Sequence, residues 1–412
     1  MNKISPSHQL AITQTSFALI IFASAFQSVP AIRYGAYSTI KLVDLSLLFF
    51  FVIASTQSMS TRAWISAFIA MGSILAHELI FYTLGKGGSW MPALIFMGRI
   101  TLITLAVVEY ISIPDKGKLN KHIFEIYLRL VYISIIYSCY ESYLLLNGLA
   151  PALVPESLNG AGEPISRLRG MFSEPSLYVL FLTPAFLAQI YRNKYWSATL
   201  IGGALVLTVS TFVVVVLGIA IILFSTPRNT ILIAMAAFAA IGIAIYSFGS
   251  DFVVYSFVDK FWAYLSFSAT TDVISDSAGI RKTTADFGSK IAMEHFPYGV
   301  GYGKSVAALR AEFPAAVIDA GIVSPDIPIQ SAFPQLLAES GMFGFLAVLP
   351  LLLTFFHLIE NLTSRQALAF LLYTSYILII IYPIENPIIW IFSILFSIAM
   401  SYSPNRPIAS NT

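Results

Sequence analysis

Charge is what this sequence has least of. Asp, Glu, Lys and Arg make up 11% of its 412 residues, while 57% are hydrophobic; ordinary globular chains carry about 25% charged residues. A water-soluble fold is excluded on that ground, and an integral membrane protein is expected. The net charge of +2 is too small to leave an electrostatic footprint on nucleic acid, so no nucleic-acid partner is expected. One cysteine, Cys139, excludes an intrachain disulfide framework and a cysteine-rich metal centre. The five histidines (His8, His77, His122, His295 and His357) stand apart without ligand spacing, so no metal is expected. There is no G-x-x-x-x-G-K-[ST] phosphate loop, no obvious internal repeat, and no pair of halves of the inverted-repeat transporter kind. No small-x-small cleavage site ends the first apolar run, which reads as an uncleaved signal anchor.

What is present is a succession of apolar runs of bilayer length. They fall at about 10–29, 38–58, 63–85, 91–113, 122–147, 175–191, 229–248, 333–357, 366–383 and 387–403, with an ambiguous run of about 30 residues at 195–224. Positive charge resolves the ambiguity. If 195–224 turns at Ser210-Thr211 into two short helices, Lys3, Arg62, Lys116, Lys118, Lys121, Arg192, Lys194, Arg228, Arg365 and Arg406 all share one side, which the positive-inside rule makes cytoplasmic. The expected fold is all-α: a polytopic helical bundle of about 12 transmembrane helices forming a single integral membrane domain over 1–412, with both termini cytoplasmic. Two loops then face outward, 148–174 and the large 249–332. The second carries nine acidic against six basic residues, so its basic residues are not there to coat an anionic bilayer.

The most informative stretch is Arg167-Leu168-Arg169-Gly170-Met171-Phe172-Ser173-Glu174-Pro175-Ser176, at the mouth of a span. Arginine near hydrocarbon is costly without a partner, which makes the pair a functional candidate. The same residues also suit a snorkelling arginine pair with Glu174-Pro175 opening a helix. In the large loop, Ser277 can cap a helix from about 278 to 294, with Ile280, Thr284, Phe287 and Ile291 on one apolar face and Arg281 and Lys282 beside it. Next come the alternating glycines Gly299, Gly301 and Gly303 with Tyr298 and Tyr302 beside them, a tight turn ahead of a helix at about 304–312. Finally, Gln330, Gln335 and Glu339 open a span whose Gly341 and Gly344 offer a small-residue face for packing. Glu339 inside a span requires a polar partner; a purely structural pairing satisfies that as well as a catalytic role does.

Taken together, R-x-R-G-M-F-S-E-P-S-x-Y, P-x-G-V-G-Y-G and Q-S-x-F-x-Q-L-L-A-E-S-G-M-F-G, in this order, resemble the O-antigen polymerase and O-antigen ligase superfamily. By motif the resemblance covers roughly 160–345. It implies a glycosyltransferase of the bacterial inner membrane, of the metal-independent kind built on transmembrane helices. The donor would be an undecaprenyl-diphosphate-linked oligosaccharide held by external-loop arginines, without a cofactor, and a chain-length regulator would be a partner. Arg167, Arg169 and Arg281 become the candidates for the diphosphate, and Glu174, then Glu339, for a general base. Tyr298, Tyr302 and Phe313 become candidates for stacking on sugars. Gln330-Ser331 stands where ligases carry His-Asn, and Ser210-Thr211 where relatives often carry Ser-Arg. Both departures favour a polymerase over a ligase. A lipid-glycan transporter is the rival outside the enzymes.

Overall fold

The computed structural model describes residues 6–26, 30–33, 39–55, 59–86, 90–113, 116–147, 168–172, 174–210, 212–224, 277–312, 328–380 and 384–401. Nearly all of these are helical. In order they form α1 (Pro6–Ala25), α2 (Leu42–Ser55), α3 (Thr61–Thr83), α4 (Trp90–Ser112), α5 (Gly117–Leu146), α6 (Pro175–Tyr191), α7 (Tyr195–Leu207) and α8 (Phe212–Phe224). After residue 276 come α9 (Ser277–Glu294), α10 (Ser305–Glu312), α11 (Ala332–Ile359), α12 (Ser364–Ile380) and α13 (Pro387–Ser401). Among the described residues, four helices (α3, α4, α5 and α11) are long and apolar enough to cross a membrane, and six more are shorter apolar helices. The expected span at 229–248 lies outside the described residues.

Two features differ from the sequence reading. An antiparallel pair of short strands, β1 (Pro30–Arg33) and β2 (Thr39–Lys41), precedes α2, so that helix starts later than its apolar run. The backbone of Lys41 then donates to Asp44 Oδ2 at 2.9 Å, which joins the hairpin to the first turn of α2. The second difference concerns Gly341, described below.

The run 195–224 does turn. Leu168 N–H donates to Leu207 O at 3.1 Å at one end of α7, while the rings of Tyr191 and Phe224 lie 6.0 Å apart at the other end of α6 and α8. α7 and α8 therefore run antiparallel, each 13 residues long. Val209 takes φ +44° in the turn between them.

At the centre lie α6 and α13. α13 is buried from Pro387 to Met400, and α6 from Tyr178 to Ala185 without a break. Pro184 inside α6 has no N–H, which frees the carbonyl four residues earlier. That carbonyl, Leu180 O, accepts from Tyr373 Oη of α12 at 2.8 Å. Tyr127 Oη of α5 bridges the next rung, donating to Phe181 O and accepting from Ala185 N at 3.2 Å. Two buried tyrosines thus repair a proline break that an unsupported apolar helix would leave with orphan carbonyls. Outward, Phe68, Leu79, Ile133 and Ile136 of α3 and α5 are exposed, a surface suited to hydrocarbon.

α11 is broken at Gly341 (φ 53°, ψ −138°), a conformation closed to residues with a Cβ. The glycine turn at 297–303 docks its backbone into the break. Val300 N donates to Ala338 O and Gly301 N to Glu339 O, both at 2.8 Å, and Met342 N donates to Pro297 O at 3.0 Å. A Cβ on Gly341 would lie 1.9 Å from Pro297 O, and one on Gly299 2.6 Å from Glu339 C. Gly341 therefore serves an opening in the helix and not the small-residue face expected for it. Gly341→Ala should cost at least about 1–3 kcal/mol for the backbone alone. Gly72→Ala, at an open site inside α3, should stabilise by about 0.5–1 kcal/mol. Thermal denaturation of both variants in detergent checks the contrast, and equal melting temperatures would contradict it.

Candidate functional site

Residues 168–172 form a short turn just ahead of Glu174, and side chains of both reach neighbouring helices. Gly170 has φ +59°, and a Cβ there would fall 2.7 Å from the Tyr178 ring, so the turn closes directly over that aromatic. Its N–H donates to Ser138 Oγ of α5 at 2.8 Å. Arg169 is directed to the same helix. Its Nε and Nη2 both donate to Glu141 Oε1, at 3.0 and 2.6 Å. The side chains are only 6% and 3% exposed, so this pair is interior and its charge is neutralised where it stands. Such pairs cost several kcal/mol to break, because the survivor is left charged and buried. The Arg169 Nη1 atom is buried with no hydrogen-bond partner among the described residues.

At the other end of the turn, Glu174 is the residue before α6, with Pro175 at its first position. Its carboxylate makes no cap bond to the backbone of α6. Ser176 Oγ donates to Oε2 at 3.0 Å, and Arg281 Nη2 of α9 donates to the same oxygen. This pair is more open, with Arg281 13% and Glu174 32% exposed. One turn on, Thr284 is fully buried, donates to Arg281 O at 3.1 Å and accepts from Gln330 N at 3.1 Å. The three motifs distant in sequence therefore meet: the turn at 168–172 with Glu174, the helix carrying Arg281, and the stretch opening at Gln330. α9 lies against α11, with Phe287 and Ile291 in a small core with Leu309, Ile329 and Ala338. It packs on the bundle, and that packing fixes Arg281.

Arg167 lies outside the described residues, as does Phe313. Glu339 is at the break in α11, away from the arginines' contacts. Its carboxylate accepts from Ser305 Oγ of α10, with Gly303 N–H and the Gln335 side chain also bonded to it. These contacts tie the glycine turn and α10 to α11, which is a structural use of the charge. Tyr302 is 6% exposed, with its ring 5.0 Å from His77 and 4.8 Å from Phe96, and so has no open face for a sugar. Tyr298 is half-buried and stacks on Phe343 at 6.1 Å. The open ring of this segment is Phe296, exposed beside Pro297, which the sequence reading passed over.

Glu141 and His77 read in the sequence only as charged groups in or near spans, suited to structural pairing, with their partners unassigned. Ser134, Ser138 and Glu141 recur at four and three residues, a polar stripe on an otherwise apolar helix. His77 is fully buried. Its Nε2 lies 2.9 Å from Tyr298 O and its Nδ1 3.1 Å from Glu78 Oε1. A carbonyl only accepts, so Nε2 is the donor in that bond.

A second charged group lies at the hairpin end of α2. Arg99 of α4 pairs with Asp44 at 3.1 Å, with Lys41 and Glu385 close enough to act on one another electrostatically. Glu385 sits in the turn between α12 and α13, half-buried. Loss of hydration there pushes its carboxyl up to about 8 from an ordinary 4.5, with nearby Glu339 adding to the shift. Between those values the folded protein holds a proton that the unfolded chain has released, so stability falls as pH rises through the window and levels off above it. Glu385→Gln should flatten that part of the curve when melting temperature is followed from about pH 5 to about pH 9. An unchanged slope would show that this carboxyl is not the group titrating.

No family model matches the sequence, and no curated protein does.

Proposed function

We propose that the chain polymerises undecaprenyl-diphosphate-linked oligosaccharide repeat units into O-antigen or a related surface polysaccharide, by glycosyl transfer at the periplasmic face of the bacterial inner membrane. The observation that carries this reading is that Arg281, 107 residues on in the chain, meets Glu174 at the start of α6, five residues from Arg169. The twelve-span topology with cytoplasmic termini is part of the reading, and the antiparallel α7 and α8 support it. That topology puts the turn and α9 on the periplasmic side, where a lipid-linked glycan presents its diphosphate.

The chemistry asked of these residues is modest. An acceptor sugar hydroxyl forms a bond from its oxygen to the anomeric carbon of the growing chain. The carbon–oxygen bond to the diphosphate breaks, and its electron pair leaves with undecaprenyl diphosphate. The hydroxyl proton goes to a base, for which Glu174 is first placed and Glu339, already tied to Ser305, second. The leaving group is good, so the dominant need is a cation for its growing charge, which a guanidinium meets with directed N–H donors. Arg281 is the better exposed of the two described arginines, and Arg169 holds the turn that orients its surroundings. Arg167 is the third cation of the set.

Arg281→Ala and Arg167→Ala should each remove polymer longer than one repeat unit while leaving membrane insertion normal, read as a chain-length ladder from a deletion strain carrying each variant. Normal ladders would remove the arginines from the mechanism. A deletion strain that leaves lipid A core with no repeat unit, instead of one, would shift the reading to a ligase. Transfer of lipid-linked repeat units between leaflets of a liposome without polymer formation would shift it to a transporter.

A further inference from the structure

The two ion pairs at the turn ahead of α6 differ in kind. Arg169 gives two donors to one oxygen of Glu141, and both side chains are sealed from solvent. Arg281 gives one donor to Glu174, whose carboxylate is about one-third exposed. A sealed pair keeps its partner, because either charge alone would be stranded. An open pair contributes little net stability, and an anion carrying more charge and more acceptor oxygens competes for the same donor.

A second, independent feature concerns where Glu174 would go. It is the residue before the first turn of α6, the position at which a carboxylate ordinarily accepts from the N–H groups two and three residues on. Here the side chain makes no such backbone bond; its Oε2 accepts from Arg281 Nη2 and from Ser176 Oγ in the first turn of α6. The cap position is thus an alternative place for the same carboxylate, within reach by side-chain rotation and favoured for negative charge by the helix dipole.

We propose that Glu174 is the exchangeable counter-ion of Arg281. Its carboxylate occupies the phosphate's place in the resting protein, and a diphosphate displaces it to the helix cap, beside the bound donor. This rests on reading the site as a diphosphate site, and adds an order of events: the residue first placed as base is bonded to Arg281 until the donor arrives.

Calorimetric titration of the purified full chain in detergent with inorganic pyrophosphate tests both layers separately. Glu174→Gln should tighten pyrophosphate binding about two- to fivefold, and Arg281→Ala should abolish it. Glu174→Asp, whose shorter side chain draws the charge back from the guanidinium, should fall between Gln and wild type. If the Gln variant does not stay monodisperse, the Asp variant decides by the same sign. Binding lost in Arg281→Ala but equal or weaker in the Glu174 variants would overturn the exchange and leave the diphosphate reading intact. Binding absent from wild type and Glu174 variants alike, or unaffected by Arg281→Ala, would overturn both.

Discussion

Opposite charges brought together in an apolar setting hold this site in place. The turn ahead of α6 buries Leu168, Met171 and Phe172. It is tied as well at its two ends, by Arg169 on Glu141 and by Glu174 on Arg281. Between them Gly170 lets the backbone close over Tyr178. The first contact adds to the Gly170–Ser138 bond that holds the turn on α5, and the second links α9 to the start of α6. The resting site has both pairs made; the donor-binding proposal keeps the first and exchanges the second.

The supporting structure follows the same logic of satisfied polar groups in an apolar bundle. Pro184 opens α6, and Tyr127 and Tyr373 close the gap from two neighbouring helices. Gly341 opens α11, and the turn at 297–303 fills that gap with its own backbone. In each case an interruption that would be costly in hydrocarbon becomes a point of attachment for another element. The second attachment is what brings α9 and α10 onto the bundle and gives Arg281 a rigid base.

Much of this was legible in the chain. Glu174-Pro175 marked the start of α6 to the residue, the side preference of positive charge identified the turn between α7 and α8, and Ser277 marked the start of α9. What could not be read was pairing across long separations. Nothing local says that Arg169 meets a carboxylate 28 residues earlier, or Arg281 one 107 residues earlier. The glycines at 299, 301 and 303 read as a turn, since periodicity shows that backbone approaches closely there but not what it approaches. Tyr302 read as a stacking ring because aromatic character is visible in sequence and burial is not. β2 was hidden at the start of the apolar run 38–58 that length alone assigned to a helix, and β1 lay between two such runs.

The contact between Glu174 and Arg281 in the native membrane is the claim most open to direct measurement. Cys139 is the single cysteine, so a Cys139→Ser background allows Glu174→Cys and Arg281→Cys to be paired and treated with a short thiol-specific crosslinker from the periplasmic side. The account predicts an intramolecular crosslink at this pair, as efficient as at the packed control pair Thr284→Cys and Gln330→Cys, and blocked by prior treatment with a membrane-impermeant thiol reagent. A control pair that links while residues 174 and 281 do not, or labelling of them only from the cytoplasmic side, would contradict it.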